Sequence, residues 1–153
     1  MTASPIAKRT VPPVLGTGME WVIDAFDCDC ERLRDLDLVR EICDQVIQDL
    51  GLKVLGDPMS HRFGGPGGVT ALYMLTESHL ACHTYPEFCM ATFNLYCCRV
   101  RPEWDWSGHL QRILGAGRVE TRQIARGLAI DPLGRGVAET DVRDESDKPG
   151  GMQ

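Results

Sequence analysis

Apolar residues along this chain recur at two different periods, and the switches between them outline the expected elements. From Glu20 to Phe26 the run Trp21, Val22, Ile23, Ala25 and Phe26 suits a well-buried first strand. Val39, Ile42, Cys43, Val46, Ile47 and Leu50 then follow the i, i+3, i+4, i+7 rhythm of a helix, capped by Asp35 or Asp37 and ended by Gly51. Lys53 to Met59 reads as a second strand, and His61 to Gly68 as a glycine-rich loop. Val69, Ala71, Tyr73 and Leu75 alternate up to Glu77-Ser78, and Leu80 to Thr84 and Ala91 to Cys97 read as further strands. Trp106, Leu110, Ile113 and Leu114 mark a second amphipathic helix, and Arg118 to Ile124 a last strand.

The two ends lack this patterning. Residues 1–17, with Pro5, Pro12, Pro13 and Gly16, are expected to form a flexible arm, and residues 127–153 a polar tail with too little apolar surface to fold. Residues 18–126 are left as one α+β domain, an antiparallel sheet with two helices on one face. So short a chain has nothing left to cover the other face, so a homodimer with its sheets facing each other is expected.

Composition narrows the partners. A chain of 153 residues with 43% hydrophobic content buries one core rather than two. A net charge of -6, with Lys and Arg scattered, argues against nucleic acid and anionic membrane as partners. No apolar run approaches the roughly 20 residues that span a bilayer, and the first residues lack a secretory pattern, which points to the cytoplasm. In that compartment the seven cysteines are expected as free thiols. No metal is expected either, since paired C-x-x-C knuckles and H-E-x-x-H are missing, and His79 and His83 on a strand would stand about 13 Å apart. The glycine-rich loop lacks the Lys-Ser pair of a phosphate cradle and reads instead as a tight turn that lets backbone approach a neighbour.

Chemistry-bearing residues concentrate between Leu75 and Glu87, where Glu77, Ser78, His79, Cys82 and His83 follow closely, with the vicinal thiols Cys97 and Cys98 one strand length later. Singly, each has a bland reading as a turn serine, a hydrogen-bonded histidine or a small core cysteine. Together, Glu77-Ser78-His79-Leu80 followed by His83-Thr84-Tyr85-Pro86-Glu87 resembles the self-processing motif of the prokaryotic S-adenosylmethionine decarboxylase proenzymes. The similarity extends from Gly18 to Ile124 and includes Asp24-Ala25-Phe26-Asp27-Cys28, the loop from Phe63 to Thr70, and Phe93-Asn94-Leu95-Tyr96-Cys97-Cys98.

That resemblance implies the two-layer sandwich of this family and a homodimer of cleaved α and β chains. It also implies a pyruvoyl cofactor made from Ser78, with no pyridoxal phosphate. The Ser78 hydroxyl would attack the peptide bond after Glu77, and β-elimination of the resulting ester would leave the pyruvoyl group. The Glu77-Ser78 linkage should then be strained or its developing oxyanion stabilised. Thr70 matches a hydroxyl that supports processing, and His83 matches the imidazole that moves protons during elimination. The pyruvoyl carbonyl would hold the substrate's α-amine as a Schiff base. Cys98 matches the cysteine that returns a proton to the α-carbon, while strand alternation turns Cys97 to the other face. Phe63 and Tyr85 match adenine-stacking aromatics, and Glu87 matches the acid that binds ribose hydroxyls.

Several positions depart from the pattern. Glu20 or Trp21 stands where many relatives carry His, Tyr85 replaces a common Trp, and Arg99 rather than Gly follows Cys98. Three activities therefore remain open. One is decarboxylation of S-adenosylmethionine for spermidine synthesis. Another is pyruvoyl-dependent decarboxylation of a basic amino acid such as ornithine or arginine, with Glu20 or Glu87 facing the distal cation. The third is a non-catalytic binding role for an uncleaved chain.

Overall fold

In the computed structural model, residues 18–127 are described, so the expected arm and all but the first residue of the expected tail lie outside the described residues. The elements are β1 (Gly18–Phe26), α1 (Leu36–Asp49), β2 (Met59–Arg62), β3 (Val69–Leu75), β4 (Ser78–Tyr85), β5 (Met90–Cys97), α2 (Trp106–Leu114) and β6 (Arg118–Arg126). Short 3-10 turns lie at Arg32–Arg34 and Pro86–Phe88. The strands form one antiparallel sheet in the order β2-β3-β4-β5-β1-β6. Among the described residues, no helix is long and apolar enough to cross a membrane.

Alternation along the central strands sends one set of side chains toward the helices. Trp21, Leu95, Leu80 and Tyr73 face one another across four strands, and Ile23, Phe93, Cys82 and Ala71 form the next row; all are buried. From α1 come Val39, Ile42, Cys43 and Val46, and from α2 Trp106, Leu110, Ile113 and Leu114, into the same core. Asp35 is the α1 cap, accepting from the amides of Asp37 and Leu38. Gly51 follows with φ +61°, a conformation in which a side chain would be strained.

Among the described residues, no helix lies over the opposite face. Met59, Leu72, Met74, Thr70, His83 and Asn94 belong to it, and Met59 and Met74 are 71% and 62% exposed.

Two sequence expectations need correction. Lys53 to Met59 is not a strand: only Val54 bridges to Leu75, and the pairing strand is Met59–Arg62. Gly56 at φ +69° and Pro58, which has no N–H to donate, turn the chain before it can pair. His61 and Arg62 therefore sit in β2, and the glycine-rich turn begins at Phe63, whose amide donates to the Gly68 carbonyl at 2.8 Å. The cysteines are not all free. Cys30 and Cys89 form a disulfide, because the turns after β1 and before β5 lie side by side, with the Cys28 amide 2.9 Å from the Cys89 carbonyl. The other five are free thiols.

Glycine at position 68 has a steric reason: a Cβ there would stand 2.6 Å from the Thr84 carbonyl oxygen, so the loop seats directly on β4. Beside it, the buried Thr84 hydroxyl accepts from the Val69 amide at 2.8 Å and donates to the Leu33 carbonyl at 2.7 Å. Thr84→Val keeps the shape but leaves both groups unpaired, and is expected to lower unfolding stability by about 2–4 kcal/mol. Thr84→Ser, which keeps both bonds, should cost less; urea titration of the two variants checks the order.

Candidate active site

Thr76 and Glu77 make the tight turn between β3 and β4, with Leu75 opposite Ser78. Ser78 has φ 144°, a region that L-residues avoid, so the backbone is strained at the serine singled out by the motif. On its other side Ser78 pairs with Cys97. The next amide, that of Cys98, donates to the Glu77 carbonyl at 3.0 Å. The carbonyl preceding Ser78 thus already faces a fixed donor. The Ser78 hydroxyl stands 3.7 Å from the Cys98 sulfur. Cys98 is exposed and Cys97 is buried; burial, and then the neighbouring Cys98, push the Cys97 thiol up to about 11.

The Glu77 carboxylate is held as well. Arg101 donates from Nε at 3.0 Å to one oxygen and from Nη2 to the other, while its Nη1 donates to the Leu50 carbonyl at 3.2 Å.

A second cluster occupies the far end of β4. Thr70 Oγ1 lies 2.9 Å from His83 Nδ1, facing each other across β3 and β4. A cavity of about 230 Å³ joins this pair to Phe63, Tyr85 and Glu87. The site residues expected from sequence therefore fall into two groups: Glu77, Ser78 and Cys98 in one, and Phe63, Thr70, His83, Tyr85 and Glu87 in the other. At the rise of an extended strand, Ser78 and His83 are about 16 Å apart. Thr70 and His83 do not neighbour Ser78 within one chain, contrary to the simplest reading of their closeness in sequence.

Between the groups runs a polar chain on the open face. His79 Nε2 is 3.0 Å from Asn94 Oδ1, and the Asn94 amide donates to Glu20 at 2.6 Å. Arg126 pairs with the other Glu20 oxygen. The hydrogen bond from Asn94, then that from Arg126, holds the Glu20 carboxyl below its ordinary range. Glu20 is thus already engaged, which leaves Glu87 as the other acid expected to face the distal cation of a basic amino-acid substrate. Among the described residues, no three His, Cys, Asp or Glu side chains gather as a metal cage. The roles of Arg101 and the Cys98 amide carry no sequence signal, because each acts through a partner that only the folded chain brings near.

Comparison with known proteins places this geometry in context. The S-adenosylmethionine decarboxylase family matches residues 19–127. The S-adenosylmethionine decarboxylase proenzyme of Pelotomaculum thermopropionicum is 33% identical over 123 residues, covering 79% of this chain and 95% of that protein. The proenzyme of Syntrophomonas wolfei is 31% identical over 123 residues, with the same coverage of 79% and 95%. The proenzyme of Acidithiobacillus ferrooxidans is 30% identical over 128 residues, covering 82% and 93%. Among solved structures, the adenosylmethionine decarboxylase of Aquifex aeolicus shares the fold with TM-score 0.60 at 21% identity, covering 73% of this chain and 92% of that one.

Thiol exposure makes a direct test. Burial raises Cys28 to about 11 and Cys82 well above the ordinary thiol range, so neither is a ready nucleophile near neutral pH. Brief alkylation of the native, unreduced protein is expected to label Cys98 before Cys28, Cys43, Cys82 or Cys97. Peptide mass mapping that finds Cys97 labelled first would contradict the assignment of Cys98 as the accessible thiol.

Proposed function

The chain belongs to the S-adenosylmethionine decarboxylase family, and we propose that it is a proenzyme that cuts its own backbone between Glu77 and Ser78 and then decarboxylates S-adenosylmethionine. The observation that carries this reading is the strained Ser78 backbone beside a carbonyl already held by the Cys98 amide. Ser78 Oγ adds to the Glu77 carbonyl carbon, and the charge gathering on the carbonyl oxygen falls on that N–H. Collapse breaks the C–N bond, the hydroxyl proton ends on the released nitrogen, and an ester joins Glu77 to Ser78 Oγ. Loss of the Ser78 α-proton then expels the main-chain carboxylate of Glu77, now a free C-terminus, from Ser78 Cβ. Water replaces the nitrogen, which leaves as ammonia, and residue 78 remains as a pyruvoyl group.

The residues present fit that group: a serine under backbone strain supplies its atoms, and an exposed thiol lies against it. When formed, the pyruvoyl group supplies the electron sink for decarboxylation. Cys98 is placed to return a proton to the substrate's α-carbon.

The second cluster acts across a homodimer. At about 16 Å, His83 is out of reach of Ser78 in its own chain. A two-fold axis between facing sheets, crossing the strand direction, lays the Ser78 end of one protomer over the His83 end of the other. The apolar Met59, Leu72 and Met74 on the uncovered face support such a cover. So does the cavity of about 230 Å³, smaller than the roughly 300 Å³ at the low end of complete ligand pockets. In this assembly the partner subunit's His83, hydrogen-bonded to its Thr70, moves protons during processing. The partner subunit's Phe63 and the partner's Tyr85 stack on the adenine, and the partner's Glu87 accepts from the ribose hydroxyls.

On a reducing denaturing gel, the purified chain is expected to resolve into two pieces, one carrying a carbonyl trappable by hydrazine. Ser78→Ala should stay whole, and a wild-type chain that stays whole after prolonged incubation overturns the reading. Co-expressing Ser78→Ala with His83→Ala, each uncut alone, should restore cleavage of the serine-bearing chain; no cleavage in the mixed dimer rules out action across the interface. Processed enzyme should release carbon dioxide from S-adenosylmethionine and not from ornithine or arginine. Cys98→Ala should cleave normally yet lose roughly 10²- to 10⁴-fold in turnover.

A further inference from the structure

We propose that Arg101 is a positioning residue for backbone cleavage, acting through the side chain of Glu77; this inference rests on the cleavage reading above. The residue whose carbonyl must be attacked is gripped at two points by one short segment. The Cys98 amide holds its carbonyl, and the Arg101 guanidinium holds both oxygens of its carboxylate. Arg101 is itself anchored, since its remaining nitrogen donates to the Leu50 carbonyl at the end of α1. The fork therefore ties the turn through Arg101 to the end of α1, and Glu77 can rotate about neither its side chain nor its carbonyl without losing a bond.

The pair differs from the ion pairs elsewhere in the structure. Arg101 and Glu77 are only 22% and 11% exposed, whereas Arg118 and Glu120 are 55% and 48% exposed and join near neighbours along β6. An exposed pair of the second kind does little. A shielded, two-pronged pair fixes direction as well as distance, because the planar guanidinium matches the carboxylate. The direction it fixes is that of the Glu77 carbonyl relative to the Ser78 hydroxyl, on which the rate of intramolecular attack depends steeply.

The test follows the cleaved fraction of freshly folded precursor against time, with thermal unfolding of each variant alongside. Arg101→Ala is expected to slow cleavage roughly ten- to hundredfold. Arg101→Lys, which keeps the charge but loses the fork, should fall between Arg101→Ala and the wild type. Glu77→Gln should also be slowed, and the double variant of Arg101→Ala with Glu77→Gln should be no slower than the slower single variant, because both remove the same contact. Wild-type cleavage by Arg101→Ala, or full additivity in the double variant, overturns the proposal while leaving self-cleavage standing. Should Arg101→Ala melt well below the wild type, Arg101→Lys decides, and an unchanged rate there overturns the proposal. A wild-type chain that never cleaves sinks the cleavage reading itself, and this inference with it.

Discussion

One backbone hydrogen bond, from the Cys98 amide to the Glu77 carbonyl, joins the β3–β4 turn to the end of β5, and the geometry around Ser78 depends on it. A hairpin tip held only by its own strands would swing. This one is closed from the side, so the Ser78 hydroxyl and the Cys98 thiol keep their 3.7 Å separation. Ser78 is fixed on both flanks, opposite Leu75 and opposite Cys97, and only such surroundings sustain an unfavourable φ. Beneath it, Leu80, Tyr73 and Leu95 are packed in the core, so relaxation of the turn would have to disturb buried rows of side chains.

The same rigidity makes β4 a ruler. It carries the strained serine at one end and, at the other, the histidine whose partner Thr70 lies across the strand pair. Because both helices cover one face, the opposite face displays the histidine and its cavity together with exposed Met59, Leu72 and Met74. A single chain therefore presents two clusters of candidate site residues at opposite ends of one sheet. In the proposed homodimer, two-fold packing of sheet against sheet would make two whole sites from four halves, and would give the uncovered face a reason to be apolar and polar by turns.

Much of this was legible in the sequence, for reasons that also explain the failures. The helices and central strands were readable because one face of each is buried, so periodicity survives in Val39, Ile42 and Val46 or in Val69, Ala71 and Tyr73. The edge strand β2 was misplaced because Met59–Arg62 buries little and so leaves no pattern, whereas apolar Val54 and Leu55 imitate a strand that Gly56 and Pro58 prevent. Residue order pointed to the segment around Ser78, but proximity in sequence misled about proximity in space. Five positions along a helix nearly close a turn and a half, while along a strand they carry Ser78 and His83 far apart. Arg101 and the Cys30–Cys89 bond were invisible because each depends on a neighbour supplied by a distant segment.

The disulfide has a further effect, because it straddles Glu77-Ser78: Cys30 lies upstream and Cys89 downstream. Scission there would nick a stapled molecule rather than divide it. The upstream segment contributes β1, which is threaded between β5 and β6 of the downstream segment. After maturation that interleaved strand would be retained by a covalent tether as well as by its ladder of hydrogen bonds, so neither dilution nor brief local opening could release one half from the other.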